Sequence, residues 1–171
     1  MNNLNFIFNR QSVRQYTGQK VEDEKMDQLL HVAMAAPSAR KKDPWRFIVL
    51  QDGEKLAKLQ EILPNGPFLT EAANAIVVLG DLNEAWDNSL IYMIQDCSAA
   101  VQNIMLAAAK LELGSCWLGV QPKEERIKGV SEFFNLPKNI IPIAVIALGY
   151  PACETIFKSR YNNNFVHYNR W

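Results

Sequence analysis

Apolar residues recur every three or four positions along much of this chain, and the breaks in that rhythm mark out its elements. Residues 22–36 set Met26, Leu29, Leu30 and Ala33 at helical spacing behind an acidic first turn. Pro37 cannot extend that helix, because it lacks an N–H and its ring clashes with the preceding turn. Residues 38–43 therefore read as a loop at the helix end. A short apolar strand is expected over 47–50, and a helix over 53–63 with Leu56, Leu59 and Leu63 on one face before Pro64. Residues 75–80, rich in β-branched side chains, read as a buried strand.

Residues 88–112 predict one long helix, with Ile91, Ile94, Ser98, Val101, Met105, Ala108 and Leu111 as its apolar stripe. Its second half is small-sided (Ala99, Ala100, Ala107, Ala108, Ala109), which permits close packing in an interior or at a subunit interface. Gly114 is expected to end it. Residues 116–120 read as strand or extended loop, 123–134 as a helix opened by Pro122 and followed by Pro137, and 141–148 as a buried strand. Residues 151–171 have no apolar period but hold Phe157, Tyr161, Phe165, Tyr168 and Trp171. Such a tail is expected to lie across another surface. Helices and strands without strict alternation predict an α+β fold. No linker or repeat divides the 171 residues, so a single domain over 1–171 is expected.

Charge narrows the partners. Lys+Arg 18 cancel Asp+Glu 18, leaving no surplus of cations to neutralise a nucleic-acid backbone. Nucleic acid is not an expected partner, and any anion site must be local. Low net charge also removes one guard against self-association. The longest apolar runs, 72–79 and 140–148, are too short to cross a bilayer as a helix, so no membrane association is expected. Residues 1–10 do not read as an export leader. Cys97, Cys116 and Cys153 are too widely spaced for a disulfide framework or a metal motif and read as reduced thiols. These features together predict a cytoplasmic protein.

The candidate chemistry begins at Arg10-Gln11-Ser12-Val13-Arg14. Here two guanidinium groups stand four residues apart with a hydroxyl between them. A guanidinium is always charged and presents a planar fork of donors that matches phosphate oxygens. Residues with other chemistry are missing. The sequence holds no P-loop, no G-x-G-x-x-G turn and no G-x-S-x-G elbow. His31 falls inside an amphipathic helix and His167 in the aromatic tail, too far apart to read as a triad or a zinc site. Asp23 and Glu24 read as helix N-terminal charge rather than acid/base machinery. A chain so poor in nucleophiles and bases suits chemistry supplied by a cofactor.

Two further segments, Pro37-Ser38-Ala39-Arg40-Lys41-Lys42-Asp43-Pro44-Trp45-Arg46-Phe47 and Gly114-Ser115-Cys116-Trp117-Leu118-Gly119, follow the arginine motif. In order and separation, all three resemble the short, single-domain form of the nitroreductase family of FMN-dependent oxidoreductases over nearly the whole chain. The resemblance implies a central mixed β-sheet flanked by helices, in an intertwined homodimer with FMN at the subunit interface. It implies that Arg10, Gln11, Ser12 and Arg14 bind FMN through its phosphate and ribityl chain, with Lys158 and Arg160 joining them on the phosphate. Pro37, Ser38 and Ala39 match the loop that approaches the flavin from the partner subunit, and Trp117, Leu118 and Gly119 the segment beside flavin N5. No side chain is implied as an acid or base, and no metal. The implied reaction takes hydride from NADH or NADPH onto the flavin and reduces a small-molecule acceptor, nitroaromatic or quinone, by a ping-pong cycle. An FMN storage or sensor protein and a reductive dehalogenase-like relative are the alternatives.

The sequence departs from the family at two positions. Where many relatives carry Asn and then Gln before Pro-Trp, this chain has Lys41 and Asp43. An ammonium only donates, whereas an amide donates and accepts. Lys41 is expected near the flavin N1–C2=O edge, where a cation would favour the reduced form. Arg126, in a helix far from every motif, is expected to be neutral toward the cofactor.

Overall fold

In a computed structural model of the protein, described over residues 4–154 and 159–171, two strands carry most of the interior. These are β2 (Asn74–Asp81) and β4 (Ile140–Gly149), which pair antiparallel. β1 (Trp45–Leu50) lies outside β2 and β3 (Gly114–Gly119) outside β4, giving the order β1-β2-β4-β3. All four pair antiparallel, and the parallel pairing of the expected mixed sheet is confined to the isolated bridge between Ser12 and Ser115.

Side chains alternate between faces along a strand, and β2 is apolar on both. Ile76 and Val78 face one cluster, with Met26, Leu29, Met93, Cys97 and Ile104 of α2 (Asp23–Met34) and α5 (Leu90–Lys110). Ala75, Val77 and Leu79 face the other, with Leu56, Leu59, Leu69 and Val130 of α3 (Gly53–Ile62), α4 (Leu69–Ala72) and α6 (Glu124–Phe133). A short α1 (Asn5–Asn9) precedes the arginine motif. Asp52 caps α3 by accepting from the N–H groups of Glu54 (2.9 Å) and Lys55 (3.2 Å). The Tyr150 hydroxyl donates to Glu22 at 2.6 Å and accepts from Lys25 at 2.7 Å, tying the end of β4 to the start of α2. No helix among the described residues is long and apolar enough to cross a membrane.

Two expectations need correcting. The long helix does not stop on Gly114, because Glu112 takes the left-handed conformation (φ 62°) and the Leu113 N–H closes back onto Ala108 O at 2.8 Å. Gly114 instead opens β3, where an added Cβ would come within 2.9 Å of Val13 Cγ1. The buried stripe of α5 runs through Met93, Asp96, Cys97, Ala100, Val101, Ile104, Met105 and Ala108, while Ile91 is 70% exposed. Val101, Met105 and Ala108 of the expected stripe are buried and Ile94 and Leu111 pack against the core, so the reading misses at Ile91 and omits Met93, Asp96 and Cys97. Residues 38–43, read as loop, close in two tight turns, with the Lys41 N–H on Ser38 O and the Lys42 N–H on Ala39 O, both at 3.2 Å.

Pro142 sits inside β4, where it has no N–H to give the ladder. The β2–β4 register accordingly slips, with Val78 opposite Ala144 but Leu79 opposite Pro142, so Ile143 bulges out. At Gly149 an added Cβ would overlap the Ala72 carbonyl oxygen and lie 3.1 Å from Tyr16 Cδ1. We expect Gly149→Ala to destabilise the fold by about 1–3 kcal/mol, since backbone cannot yield as a side chain does. Gly53→Ala, with nothing near its Cβ, should add about 0.5–1 kcal/mol through helix propensity. Urea denaturation of the two variants checks both signs.

Candidate functional site

Residues 10–17 run as an extended strip stitched to the sheet at two points. Val13 N–H donates to Ser115 O at 3.0 Å, and Thr17 N–H to Tyr150 O at 3.0 Å, while Ala152 N–H returns a bond to Gln15 O at 3.0 Å. Val13 and Tyr16 point inward, and the Tyr16 hydroxyl donates to Val13 O at 2.8 Å. Burial pushes the Tyr16 phenol well above its ordinary pKa, so it stays neutral. Inward anchoring at 13 and 16 turns Ser12 and Arg14 outward to water. Arg14 Nη1 reaches Ser12 O at 3.4 Å, and its cation partly offsets the burial that raises the Cys116 thiol.

Arg10 and Gln11 line a cavity of about 570 Å³ with Gly114, Ser115, Pro151 and Cys153. The arginine strip, the start of β3 and the segment leaving β4 are thus brought together. Arg160 is exposed, and Lys158 lies outside the described residues. The free thiols Cys97 and Cys116 are buried. Burial pushes the Cys97 thiol up to about 12, and neither serves as a nucleophile. No metal-holding group of acidic, His or Cys side chains occurs among the described residues.

The loop after α2 closes on itself. Ser38 Oγ donates to Asp43 Oδ1 and accepts from the Asp43 N–H at 3.1 Å. Arg40 (φ 55°), Lys41 (φ 56°) and Asp43 (φ 50°) all hold left-handed backbone, a region costly for most side chains and tolerated best by Gly and Asn. An Asn at position 41 would therefore suit this backbone better than Lys does. Arg40 lies over the Trp86 ring, 5.4 Å from its centre, and Lys41 is exposed. No hydrogen bond among the described residues joins this loop to the arginine strip or to β3.

Asp96 escaped the sequence reading. It lies on the buried face of α5, 6% exposed, and its Oδ1 accepts the Ala39 N–H at 2.9 Å, bracing the loop from beneath. Its Oδ2 is buried without a hydrogen-bond partner. The signal was a carboxylate between Met93 and Cys97, on a face that reads as core only once the true stripe is known.

The end of β3 is held by β4. Ile143 O accepts the N–H groups of Val120 (3.2 Å) and Gln121 (3.1 Å). Trp117 is 37% exposed on a strand whose neighbouring side chains are buried. At Gly119 an added Cβ would meet nothing nearer than Gln121 O at 3.6 Å, so no neighbour within the chain requires a glycine there. Arg126, expected to stand apart from every motif, donates from Nη1 to Gly119 O at 2.8 Å. The expectation failed because the turn after β3 brings the first turn of α6 back beside Gly119, only seven residues earlier in the chain.

Burial, reinforced by the nearby Asp43 charge, raises the Asp96 pKa against the opposing pull of the Ala39 N–H. The folded protein thus takes up this proton more readily than the unfolded chain. The resulting stabilisation is present below the unfolded pKa and lost as pH rises through the folded one. Asp96→Asn keeps an acceptor for Ala39 but does not titrate. Its stability relative to wild type should therefore increase from about pH 3, below the ordinary Asp value, toward neutrality. Urea midpoints across that range check the trend, and a difference independent of pH would contradict it.

The nitroreductase family model matches residues 7–90 and 63–150. A protein of Archaeoglobus fulgidus named as a candidate NADH dehydrogenase/NAD(P)H nitroreductase is 41% identical, covering 98% of both chains. An FMN reductase (NADPH) of Bacillus subtilis is 27% identical over 88% of this chain and 66% of its own. Among solved structures, an FMN-dependent nitroreductase from Clostridium difficile superposes with a TM-score of 0.89 at 32% identity, covering 97% of this chain and 98% of that one. With the α+β sheet, the arginine strip and the β3 segment standing in one chain that these matches span almost end to end, the protein belongs to the nitroreductase family.

Proposed function

We propose that this protein is an FMN-dependent NAD(P)H oxidoreductase, a cytoplasmic homodimer that reduces nitroaromatic or quinone-type acceptors by a ping-pong cycle. Relatives named FMN reductase and FMN-dependent nitroreductase support the reaction class. The observation that carries the site is Gly119. It is a half-buried glycine whose added Cβ would make only ordinary contact with Gln121 O at 3.6 Å, at the end of a strand stitched to an arginine strip. Missing side chains of this kind allow a ligand to approach backbone closely.

When bound, FMN supplies the redox chemistry, accepting hydride from NADH or NADPH and passing electrons to the acceptor. The chain's own residues hold and orient it. Arg10, Ser12 and Arg14 supply fixed charge and donors for its phosphate, with Gln11 beside them and Lys158 and Arg160 completing the set. The backbone of Trp117, Leu118 and Gly119 would hold the ring, with an N–H able to donate to it. Pro37, Ser38, Ala39 and Lys41 come from the partner subunit, on a loop that Asp43 and Asp96 brace.

Dimerisation is supported by apolar surface that this chain leaves in water. Leu90, Ile91, Tyr92 and Trp86 are exposed around the start of α5, and Leu4, Ile7 and Phe8 around α1. In the tail, Tyr161, Phe165, Tyr168 and Trp171 are 74–99% exposed, as expected of a segment meant for another surface. Phe157 lies outside the described residues.

The purified protein should release FMN, and not FAD, on denaturation, as chromatography of the chromophore will tell. Anaerobic mixing with NADPH or NADH should bleach the flavin within seconds. A flavin that stays oxidised with both nucleotides would leave storage or sensing as the function. Arg14→Ala should weaken FMN binding by one to two decades, since a charge-assisted contact contributes on the order of 1.5–3 kcal/mol. Lys128→Ala, at an exposed position on α6, should bind FMN as wild type does. Equal losses in the two, measured by fluorescence titration of the apoprotein, would remove Arg14 from the phosphate site.

A further inference from the structure

We infer that Arg126 is a positioning residue for the cofactor-facing end of β3, one that also places a cation behind it to favour reduced flavin. The inference rests on the flavin reading above. The peptide joining Gly119 to Val120 is pinned at both of its polar groups. Its carbonyl accepts from Arg126 Nη1 at 2.8 Å, and its N–H donates to Ile143 O at 3.2 Å. The Ile143 carbonyl receives it where the β3–β4 pairing, which places Gly119 opposite Ala144, runs on by one residue. Neither bond involves a side chain of β3 itself, so the segment is aimed entirely from α6 and β4.

A neutral donor would suffice to hold one carbonyl, yet the chain places a guanidinium there. Among the described residues Arg126 forms no ion pair, whereas Arg46 is matched to Asp81 at 3.2 Å. Glu124 and Glu125 share its helix but are exposed. Arg126 Nε is buried and has no hydrogen-bond partner. A partly buried charge without a counter-charge, carrying an orphan donor, is costly to keep. It becomes favourable where negative charge develops nearby. Two-electron reduction adds such charge to flavin, and a fixed cation at the site stabilises the reduced form more than the oxidised one. The contact is reached through the Gly119 carbonyl, so Arg126 acts on geometry and on field together.

The test uses the FMN-loaded protein. Arg126→Gln keeps a donor for Gly119 and removes the charge, Arg126→Lys keeps the charge, and Arg126→Met removes both. Anaerobic redox titration should give the Gln variant a tenfold weaker preference for reduced over oxidised flavin, a fall of about 30 mV for a two-electron couple. The Lys variant should stay near the wild-type potential. Met should fall at least as far as Gln, with a change in the visible circular dichroism of the flavin as the β3 end loosens. If Met does not fold, the Gln and Lys pair decides alone. A folded, flavin-replete Gln variant at the wild-type potential overturns the inference, as do equal shifts in Gln and Lys. A wild-type protein that takes up no FMN overturns the cofactor reading and this inference with it, and is told apart by its lack of colour before any substitution is made.

Discussion

The pairing of β2 with β4 removes the side chains from Ala75 to Leu79 from water, alternately on one face and then the other. Burial on both sides makes these strands the support for everything else. α2 and α5 must cover one face and α3, α4 and α6 the other, because exposure of either would return a large apolar area to solvent at about 25 cal/mol per Å². The arginine strip has no such core of its own. It is held through Val13 and Tyr16, which plug into the second layer, and through main-chain bonds to Ser115, Tyr150 and Ala152.

One irregularity in that support shapes the site. Pro142 interrupts the β2–β4 ladder within a central strand, and on the other edge of that strand the Ile143 carbonyl receives the N–H groups of Val120 and Gln121 from the turn that follows β3. Those bonds and the one from Arg126 hold the Gly119 end. The loop after α2 is fastened by different means. Asp43 and Asp96 hold Ser38 and Ala39 while three nearby residues sit in left-handed backbone. Conformations of that kind persist only where surrounding contacts over-determine them.

Charge is distributed to match. With zero net charge there is no broad field to draw in anions, so any attraction must come from particular groups. Arg14 stands in water beside Ser12, whereas Arg46 is already matched by Asp81. Among the described residues Arg126 is neither matched by a carboxylate nor fully solvated. The three arginines thus differ in pairing and in solvation, although their formal charge is the same.

Much of the fold was legible in the sequence, since local pattern and punctuation determine it. Met26, Leu29 and Ala33 on α2, Leu56 and Leu59 on α3, and the apolar runs of β2 and β4 were readable from period and from Pro or Gly boundaries. So was the cationic character of Arg10 and Arg14, because guanidinium charge does not depend on context. The nitroreductase resemblance likewise needed only ordered motifs. The tertiary structure alone decided that the buried stripe of α5 takes in Met93, Asp96 and Cys97 and leaves out Ile91, and with it that Asp96 lies under the 38–43 loop. It alone decided that Glu112, not Gly114, turns the chain out of α5, and that Arg126 touches Gly119. The physical reason is common to these cases. Each depends on a contact made across a turn or between elements, or on a backbone angle set by packing, and a periodic pattern reports which residues avoid water without reporting what they meet when they do.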